Sequence, residues 1–518
     1  MPCFLCNSPE SPLVCPHCAS SSSSVEACSN DHLKVHYSPK SIKKGKETES
    51  CSSFKIGTKP HIGNVMLASK DIRAGDVVFI ERPAVWGPDS KSRPVCLNCL
   101  ENKSSNQLEA ERYFCSKCGF PVCNEECENG MYHVQECDAL VESKGSSIQF
   151  PMNKNCFEYS AIFPLRILKL KSKEPEVWSR VNLLMDHVDD LEKDMKSLYE
   201  KTVDFILDSC KLTKYTRSDI LRALGIFRTN GVNQGFSQGF GLYPTFSFIS
   251  HSCSPNARFQ IFENHSLVLR AIQNIPKGEE ITISYLPIYQ ATFRRRIKIK
   301  NNWLFDCYCE RCKDPSEFGS NLSAVSCKEC ITGILLPKIS TDMKSEWKCS
   351  ECKYEVSFSS LSNVMLVFEQ NMELFLDHDP LEIQFKIDSW TQTLNPNNYL
   401  IFLLKRRLLD VLCTNDNFET REDLEKVLLL ARDILKIVDL IEPGLSTTRG
   451  RILKQIHKPS LKLAKNDLMD GKINSQEFLL ITKDIIKNMK TAVRCLEEFN
   501  LEESNKIYDR KLVKQSQM

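Results

Sequence analysis

The sequence lacks a strong net charge, a long apolar run and a regular internal repeat. Its 68 basic and 66 acidic residues give a formal net charge of +2 over 518 residues. No overall electric field therefore attracts nucleic acid, and any such binding would be local. The most apolar helical stretch, EKVLLLARDILKIVDL (residues 425–440), carries charges every few residues and does not suit hydrocarbon. We predict several globular domains and no membrane span.

Cysteine is the abundant residue type, with 25 copies. The opening letters MPCFLC lack the apolar core of a secretory signal peptide, so we expect a nuclear and/or cytoplasmic protein. Apart from KSIKKGK (residues 40–46), no dense nuclear import run is present. Thiols stay reduced in both compartments, and close cysteine pairs are therefore expected to bind metal rather than form disulfides.

Ligand pairs at zinc spacing occur in three separate regions. An eight-ligand module would bind two ions, with its first pair joined to the third and its second to the fourth, and free core cysteines are the weaker alternative. Its members are Cys96, Cys99, Cys115, Cys118, Cys123, Cys127, His133 and Cys137. A four-cysteine ribbon comprises Cys327, Cys330, Cys349 and Cys352. A more irregular N-terminal finger, for one or two ions, would use Cys3, Cys6, Cys15, Cys18, Cys28, His32, His36 and Cys51.

The stretch SFISHSCSPN (residues 247–256) places a histidine and a cysteine two residues apart. In an extended segment both would point the same way, so a Cys–His nucleophile is one interpretation. Nothing orients the histidine, however, and no oxyanion donor is evident. Cys253 is better explained as the fourth ligand for Cys307, Cys309 and Cys312, because three thiolates alone would leave a zinc shell open.

Hydrophobic periodicity predicts the remaining architecture. Alternation over residues 59–83 predicts a β-hairpin with its turn at Gly75-Asp76. Residues 155–225 have amphipathic helical spacing, and short β-runs follow to residue 285. From about residue 360 the chain is predicted to form stacked helical hairpins, with a capping box from Thr420 to Asp423.

The order of these segments resembles a known family. A hairpin carrying Gly63-Asn64 precedes the eight-ligand module and a helical insert, followed by GLYPTFSFISHSCSPN, GEEITISY and FDCYCERC. This order, over about residues 55–352, resembles the SET-and-MYND (SMYD) lysine methyltransferases, particularly their arthropod SmydA-like branch. The resemblance implies an α+β fold: a knotted SET-type β-fold split by a MYND zinc module, with small zinc fingers and a C-terminal helical, TPR-like domain.

The resemblance also implies domain limits. They are an N-terminal MYND-like finger (1–52), the SET N-terminal part (53–95), the MYND finger (96–137), a helical insert (138–225), the SET core (226–290), a post-SET zinc segment (291–315), a zinc ribbon (316–358) and a helical domain (359–518). About four to six structural Zn²⁺ ions are expected.

The resemblance implies an S-adenosylmethionine pocket and a lysine channel. Gly63, Asn64 and Asn230 would approach the amino-acid end of the cofactor. Ser250 and His251 would line its adenosine, and Phe305 would stack on adenine. Tyr285 would lie beside the transferred methyl group, opposite Trp303 as a second channel wall. An apolar channel beside a cationic sulfur disfavours the ammonium form of lysine, whose free pKa is about 10.4, and so favours the neutral nucleophile.

Two positions depart from the family pattern. Ser250 replaces an asparagine, and Val65 replaces a glycine at the cofactor site. One lost hydrogen bond costs about 1–3 kcal/mol, which weakens binding without abolishing it. The implied function is methyl transfer to lysine on histone or non-histone proteins. The alternative is a weak or inactive SET protein whose MYND module and helices bind proline-rich peptides in a repressor-like assembly.

A third property, DNA contact through FRRRIKIK (residues 293–300), competes with a solvated helix face. Phosphate contacts would make DNA affinity fall steeply with salt.

Overall fold

The computed structural model describes residues 52–497 and two short strands nearer the N terminus. Within residues 52–497, the residues that are not described are 61, 90–94, 102–112, 143–156, 234–238, 263–264, 331, 374–378 and 416–419. The short strands, β1 (Leu13–Val14) and β2 (Glu26–Ala27), pair antiparallel. The ligands predicted for the N-terminal finger lie outside the described residues: Cys3, Cys6, Cys15, Cys18, Cys28, His32, His36 and Cys51.

Short strands from distant parts of the chain build the central β-region. They are β3 (Phe54–Lys59), β4 (Gly63–Ala68), β5 (Val77–Glu81), β6 (Val85–Pro88), β7 (Gly231–Asn233), β8 (Gly239–Leu242), β9 (Ser250–His251), β10 (Ala257–Ile261), β11 (Leu267–Ala271) and β12 (Thr282–Ile283). The sheets are β3-β4, β10-β11-β5, β6-β8-β7 and the parallel pair β12-β9. Alternating apolar side chains from these strands form one buried cluster, including Phe54, Met66, Phe79, Leu269 and Ile283.

The predicted position of the first hairpin is wrong. Strand β4 pairs with β3 in the register Phe54↔Ala68 to Lys59↔Gly63, so the chain reverses direction between Lys59 and Gly63. Gly75 and Asp76 instead lead into β5, which pairs with β11 almost 200 residues later. A turn-forming dipeptide identifies a change of direction but not the strand that is reached next, and here a long-range partner is preferred.

The eight-ligand module and the helical insert share one core. The module contains α1 (Glu125–Glu128) and α2 (His133–Glu142), and the insert contains α3 (Ile162–Lys173), α4 (Pro175–Val181), α5 (Lys193–Asp204) and α6 (Arg217–Asn230). Arg166 of α3 and Glu136 of α2 form a fully buried bidentate pair, with N···O distances of 2.7 and 2.6 Å. Arg166 also donates to the carbonyls of Trp86 and Leu97. One guanidinium therefore joins the insert, the module and β6.

A zinc ribbon and a helical region follow the β-region. Two helices, α7 (Thr292–Trp303) and α8 (Glu310–Lys313), precede the four-stranded ribbon of β13 (Val325–Ser326), β14 (Ile334–Pro337), β15 (Trp347–Cys349) and β16 (Glu355–Val356). The helices are α9 (Phe358–Glu373), α10 (Pro380–Trp390), α11 (Tyr399–Asn415), α12 (Arg421–Ile441), α13 (Thr447–Met469) and α14 (Ser475–Glu497). The predicted capping box is present at the start of α12. Within the described part of the chain, no helix is long and apolar enough to cross a bilayer.

The link between α12 and α13 contacts the β-region closely. Leu445 donates its backbone N–H to the carbonyl of Ile272 at 2.9 Å. Gly444 has φ +94°, and a Cβ there would lie 2.1 Å from the same carbonyl oxygen. Only glycine therefore allows this approach. Tyr289 adds a hydrogen bond from its hydroxyl to Glu442 at 3.0 Å.

Candidate active site and metal centres

Parallel pairing of β9 and β12 brings the SFISHSCSPN stretch beside Tyr285. Ser250 pairs with Thr282 and His251 with Ile283, and Tyr285 lies two residues beyond that strand. The backbone N–H of Tyr285 donates to Nδ1 of His251 at 3.1 Å. The two residues are 34 positions apart in the sequence. The β-pairing removes that separation.

Four aromatic rings gather at this point, and we name them the aromatic cluster: His251, Tyr285, Trp303 and Phe305. Ring centroids are 5.2 Å apart for His251 and Tyr285, 5.1 Å for Tyr285 and Trp303, and 6.4 Å for His251 and Phe305. Helix α7 ends at Trp303, and Leu304 follows with φ +61°. That left-handed residue turns the chain immediately, and Trp303 before it and Phe305 after it both belong to the cluster.

The Tyr285 hydroxyl already has a partner for its proton. It donates to the carbonyl oxygen of Ile249 at 2.5 Å. Burial, and after it the charge of Glu280, raises the pKa of Tyr285 above its ordinary value. The phenol is therefore neutral at physiological pH. Its proton is directed to Ile249, which leaves the oxygen lone pairs to accept a hydrogen bond from an incoming group.

The residues predicted for the amino-acid end of the cofactor lie on elements adjoining the aromatic cluster. Ile281 donates its backbone N–H to the carbonyl of Met66 at 2.9 Å, which runs β4 antiparallel to the segment carrying Tyr285. Gly63 and Asn64, at the start of β4, are exposed, and Gly63 has φ +89°. In this antiparallel arrangement Leu67 lies opposite Glu280, so the start of β4 lies at the Tyr285 end of the segment.

Asn230, the last residue of α6, is partly committed to the protein. Its amide nitrogen donates to the carbonyls of Met185 and Ile226, both at 2.9 Å. Both amide hydrogens are therefore used, and only the side-chain oxygen can accept from a ligand. The neighbouring Arg228 donates to the carbonyl of Asn301 at 3.0 Å, which holds the end of α6 against the end of α7.

The two positions that depart from the family pattern have different surroundings. Ser250 is half-buried within the β9–β12 pair. Val65 is fully buried and pairs with Gly57, so its side chain packs inside the fold.

Every predicted zinc set within the described residues comes together. Each set's four ligand atoms lie within 4.8 Å of one another. The sets are Cys96, Cys99, Cys123 and Cys127; Cys115, Cys118, His133 and Cys137; Cys253, Cys307, Cys309 and Cys312; and Cys327, Cys330, Cys349 and Cys352. The first two have the predicted interleaved order. Cys253 is the fourth member of the post-SET set, as predicted.

The sulfur spacing fits a tetrahedral metal shell. Measured Sγ···Sγ distances are 3.5 Å for Cys99–Cys123, 3.7 Å for Cys327–Cys352 and 3.6 Å for Cys330–Cys349. A tetrahedron with Zn–S bonds of about 2.3 Å has edges of about 3.8 Å, whereas a disulfide is about 2.05 Å long. None of these cysteines forms a disulfide in the structure. Three tetrathiolate sets and one Cys₃His set therefore suit structural zinc.

Buried charge beside the post-SET set supports an anionic cluster. Arg295 and Arg311 are fully buried and share one carboxylate oxygen of Glu317, at 2.7 and 2.8 Å. Burial raises the pKa of a carboxyl group, yet the two guanidinium groups hold the pKa of Glu317 below its usual value. One buried positive charge still remains unbalanced. Thiolates supply the missing negative charge, and Arg295 Nη2 lies 3.9 Å from Cys312 Sγ.

The basic run of α7 is used largely inside the protein. Arg294 pairs with Glu369, Arg295 with Glu317, and Arg296 donates to the carbonyls of Cys307 and Thr341. Lys298 and Lys300 remain exposed. Sequence reasoning missed these internal roles because nothing in the local pattern distinguishes a buried arginine from a solvated one.

A separate cleft of about 520 Å³ lies between the β-region and the α12–α13 link. Lys59, Asn256, Glu279, Glu280 and Pro443 are among its lining residues. The residues predicted to bind cofactor do not line this cleft.

Comparison with known proteins identifies the central region. The SET domain family model matches residues 63–286. Residues 63–286 are therefore similar to SET domains. The matched stretch holds Gly63, Asn64, Asn230, Ser250, His251 and Tyr285, whereas Trp303 and Phe305 lie beyond its end.

Relatives extend the similarity beyond the SET domain. The SET domain-containing protein SmydA-8, isoform A, of Drosophila melanogaster is 27% identical over 320 residues, covering 58% of this chain and 65% of its own. Histone-lysine N-methyltransferase ASHR1 of Arabidopsis thaliana is 28% identical over 276 residues, covering 51% and 55%. Human histone-lysine N-methyltransferase SMYD3 is 27% identical over 267 residues, covering 48% and 59%. The resemblance to the SET-and-MYND family is confirmed, although the chain spans only 55% to 65% of these relatives' lengths.

A solved structure described as Rubisco LSMT bound to AdoMet aligns over 88% of both chains at 12% identity and a TM-score of 0.29. That similarity is too low to support an argument about the SET domain's ligands.

Proposed function

We propose that the protein transfers methyl groups from S-adenosylmethionine to lysine side chains of histone or non-histone proteins. The observation that carries the proposal is the aromatic cluster around a neutral, hydrogen-bonded Tyr285, which itself lies in the stretch that the SET domain family model matches. The names of the relatives support this activity over the adaptor alternative, because ASHR1 and SMYD3 are both named histone-lysine N-methyltransferases.

Exposed groups near the cluster suit the proposed cofactor. Gly63 and Asn64 offer exposed backbone for its amino-acid end, and Asn230 offers a side-chain oxygen. Phe305 is half-exposed beside His251 and offers a face for adenine. When bound, S-adenosylmethionine supplies an electrophilic methyl group on a cationic sulfur.

The protein's own residues prepare the amine. Tyr285 and Trp303 lie 5.1 Å apart and form an apolar wall that disfavours an ammonium group by desolvation. The phenolic proton of Tyr285 is held by Ile249, so the phenolic oxygen accepts a hydrogen bond from the lysine nitrogen. That contact orients the nitrogen lone pair along the line of attack. The amine's proton leaves to solvent before transfer, since no described side chain in the cluster is a free base.

The partners follow from this chemistry. The substrates are proteins that present lysine, and the compartment is the nucleus or the cytoplasm. We further propose proline-rich peptides as ligands of the MYND module. Any DNA contact would depend on Lys298 and Lys300, because the three arginines of the same helix have internal partners.

Titration calorimetry with S-adenosylmethionine, followed by mass spectrometry of core histones and a cell-extract protein fraction after incubation, tests the proposal. We expect saturable heat and a gain of about 14 Da per methyl group on lysine, which is the mass of one CH₂. No heat at millimolar cofactor would rule out the transferase and leave the adaptor. Heat without methylated lysine in any fraction would restrict the protein to cofactor binding.

A further inference from the structure

Both ring nitrogens of His251 form hydrogen bonds, one as an acceptor and the other as a donor. Nδ1 lies 3.1 Å from the backbone nitrogen of Tyr285, and Nε2 lies 3.2 Å from Cys253 Sγ. A backbone N–H can only donate, so Nδ1 accepts and carries no proton. The imidazole proton is therefore on Nε2, where it points at the cysteine sulfur. His251 donates to a member of the post-SET cysteine set and accepts from Tyr285.

Tyr285 is held at both of its ends by one short stretch of chain. Its backbone N–H binds His251, and its hydroxyl binds the carbonyl of Ile249. Cys253, two residues further on, is fully buried among the sulfurs of its set, with Cys312 Sγ at 3.6 Å. The position of the phenol thus depends on a three-residue segment whose next anchor is a metal ligand.

The cysteine end of this connection is itself rigidly held. Arg311 Nη1 donates to the carbonyl of Cys253 at 3.0 Å and to that of Ile288 at 2.7 Å. Arg311 is fixed in turn by Glu317. Outer donors of this kind orient metal ligands, and their loss typically costs about 10- to 100-fold in metal affinity or activity.

We infer that His251 is a positioning residue that links the post-SET metal centre to the phenol of Tyr285. The inference rests in part on the proposed function, because it gives the proposed transferase a second requirement: an intact post-SET cysteine set. The role differs from lining the adenosine, since the ring edge has no free nitrogen left for a ligand. Only the ring face and the backbone of His251 remain available to the cofactor.

Two substitutions separate the two hydrogen bonds. In His251→Gln, the amide nitrogen reaches the place of Nε2 and still donates to the sulfur, but nothing accepts from Tyr285. In His251→Asn, the shorter side chain places an oxygen near Nδ1 and still accepts from Tyr285, but it does not reach the sulfur. His457→Gln is the matched control, since His457 lies on α13 and bonds only to the carbonyl of Lys454 among its described contacts.

The full-length, zinc-loaded protein is used, with zinc release to a chromogenic chelator as the first measurement. We expect His251→Asn to release one equivalent about 10- to 100-fold faster than wild type, and His251→Gln to resemble wild type. The other zinc equivalents report folding and should be unchanged in both. Equal release from Asn, Gln and wild-type proteins would overturn the link to the metal centre.

Methyl-transfer kinetics form the second measurement. We expect His251→Gln to lower kcat by about 10- to 100-fold with a smaller change in the KM for cofactor, and His251→Asn to retain more of kcat. A kcat for His251→Gln equal to that of the His457→Gln control would overturn the link to Tyr285. A wild-type protein without transferase activity would instead refute the proposed function, and the zinc-release order would still decide the role of His251.

Discussion

Replacing Tyr285 by Phe removes one oxygen from the aromatic cluster, and the structure allows its two effects to be estimated separately. The lost hydrogen bond leaves the carbonyl of Ile249 without this donor, at a cost of about 1–3 kcal/mol in the free energy of unfolding. For a folding unit of roughly 150–250 residues, each kcal/mol lowers Tm by about 2–4 °C. Even a domain with only about 5 kcal/mol of stability would stay about 97% folded after a 3 kcal/mol loss.

The effect on transfer should be much larger. The phenolic oxygen is the group that orients the amine, and loss of one such polar contact in an active site typically costs about 100- to 1,000-fold in kcat. Incorporation of labelled methyl groups into histones measures this loss, and calorimetry measures cofactor binding, which should change little. Transfer by Tyr285→Phe within a few-fold of wild type would refute the assignment.

Tyr289→Phe is the matched control. Tyr289 is buried, and its replacement also removes a hydroxyl hydrogen bond, in this case to Glu442 at 3.0 Å. Its ring stacks on Phe402 in the helical region, away from the aromatic cluster. The two variants should therefore lose similar stability, whereas only Tyr285→Phe should lose transfer.

Further expectations concern the cofactor site, the metals and stability. Ser250→Asn should raise cofactor affinity about tenfold, measured by calorimetry, if the family's hydrogen bond is restored; unchanged affinity would remove serine as a cause of weak binding. Cys253→Ala should lower zinc content by one equivalent in atomic absorption, and a full complement would disprove its role as a ligand. Glu136→Gln and Arg166→Met should each cost about 3–5 kcal/mol in chemical denaturation, and the double variant should cost less than their sum; strict additivity would contradict direct coupling. Burial lowers the pKa of His265 to about 4, so between about pH 6.5 and 4 the unfolded chain binds this proton and the folded chain does not. The free energy of unfolding therefore decreases as the pH is lowered through this range. His265→Asn should weaken that decrease between pH 7.5 and 5.5, and an identical slope would show that His265 does not cause it.

Much of the site could be predicted because zinc ligation uses a small set of residue types at short spacing. The interleaved order of the eight-ligand module and the grouping of Cys253 with the later triplet both appear in the structure as expected. A tetrahedral shell needs four ligands, so an incomplete triplet indicates a missing partner elsewhere in the chain. The helical region was equally accessible, because a capping box and one apolar face identify α12 locally.

Long-range choices could not be predicted in the same way. The Gly75-Asp76 turn gave no information on whether β5 would pair with its predecessor or with β11. The buried partners of Arg166 and Arg295 were hidden for a related reason, since an arginine in a helical pattern looks the same whether its face is solvated or enclosed. The tautomer of His251 depends on a backbone N–H that lies 34 residues away.

The shared core of the post-SET segment and the helical region limits how the molecule can be shortened. Ile288, Tyr289 and Phe293 are buried against side chains from α9, α11 and α12. A fragment that ends at the zinc ribbon would expose this hydrophobic surface to water, next to the helix that carries Trp303. Poor solubility or lost activity in such a fragment would then report an uncovered surface, and it would say nothing about whether the missing helices take part in chemistry.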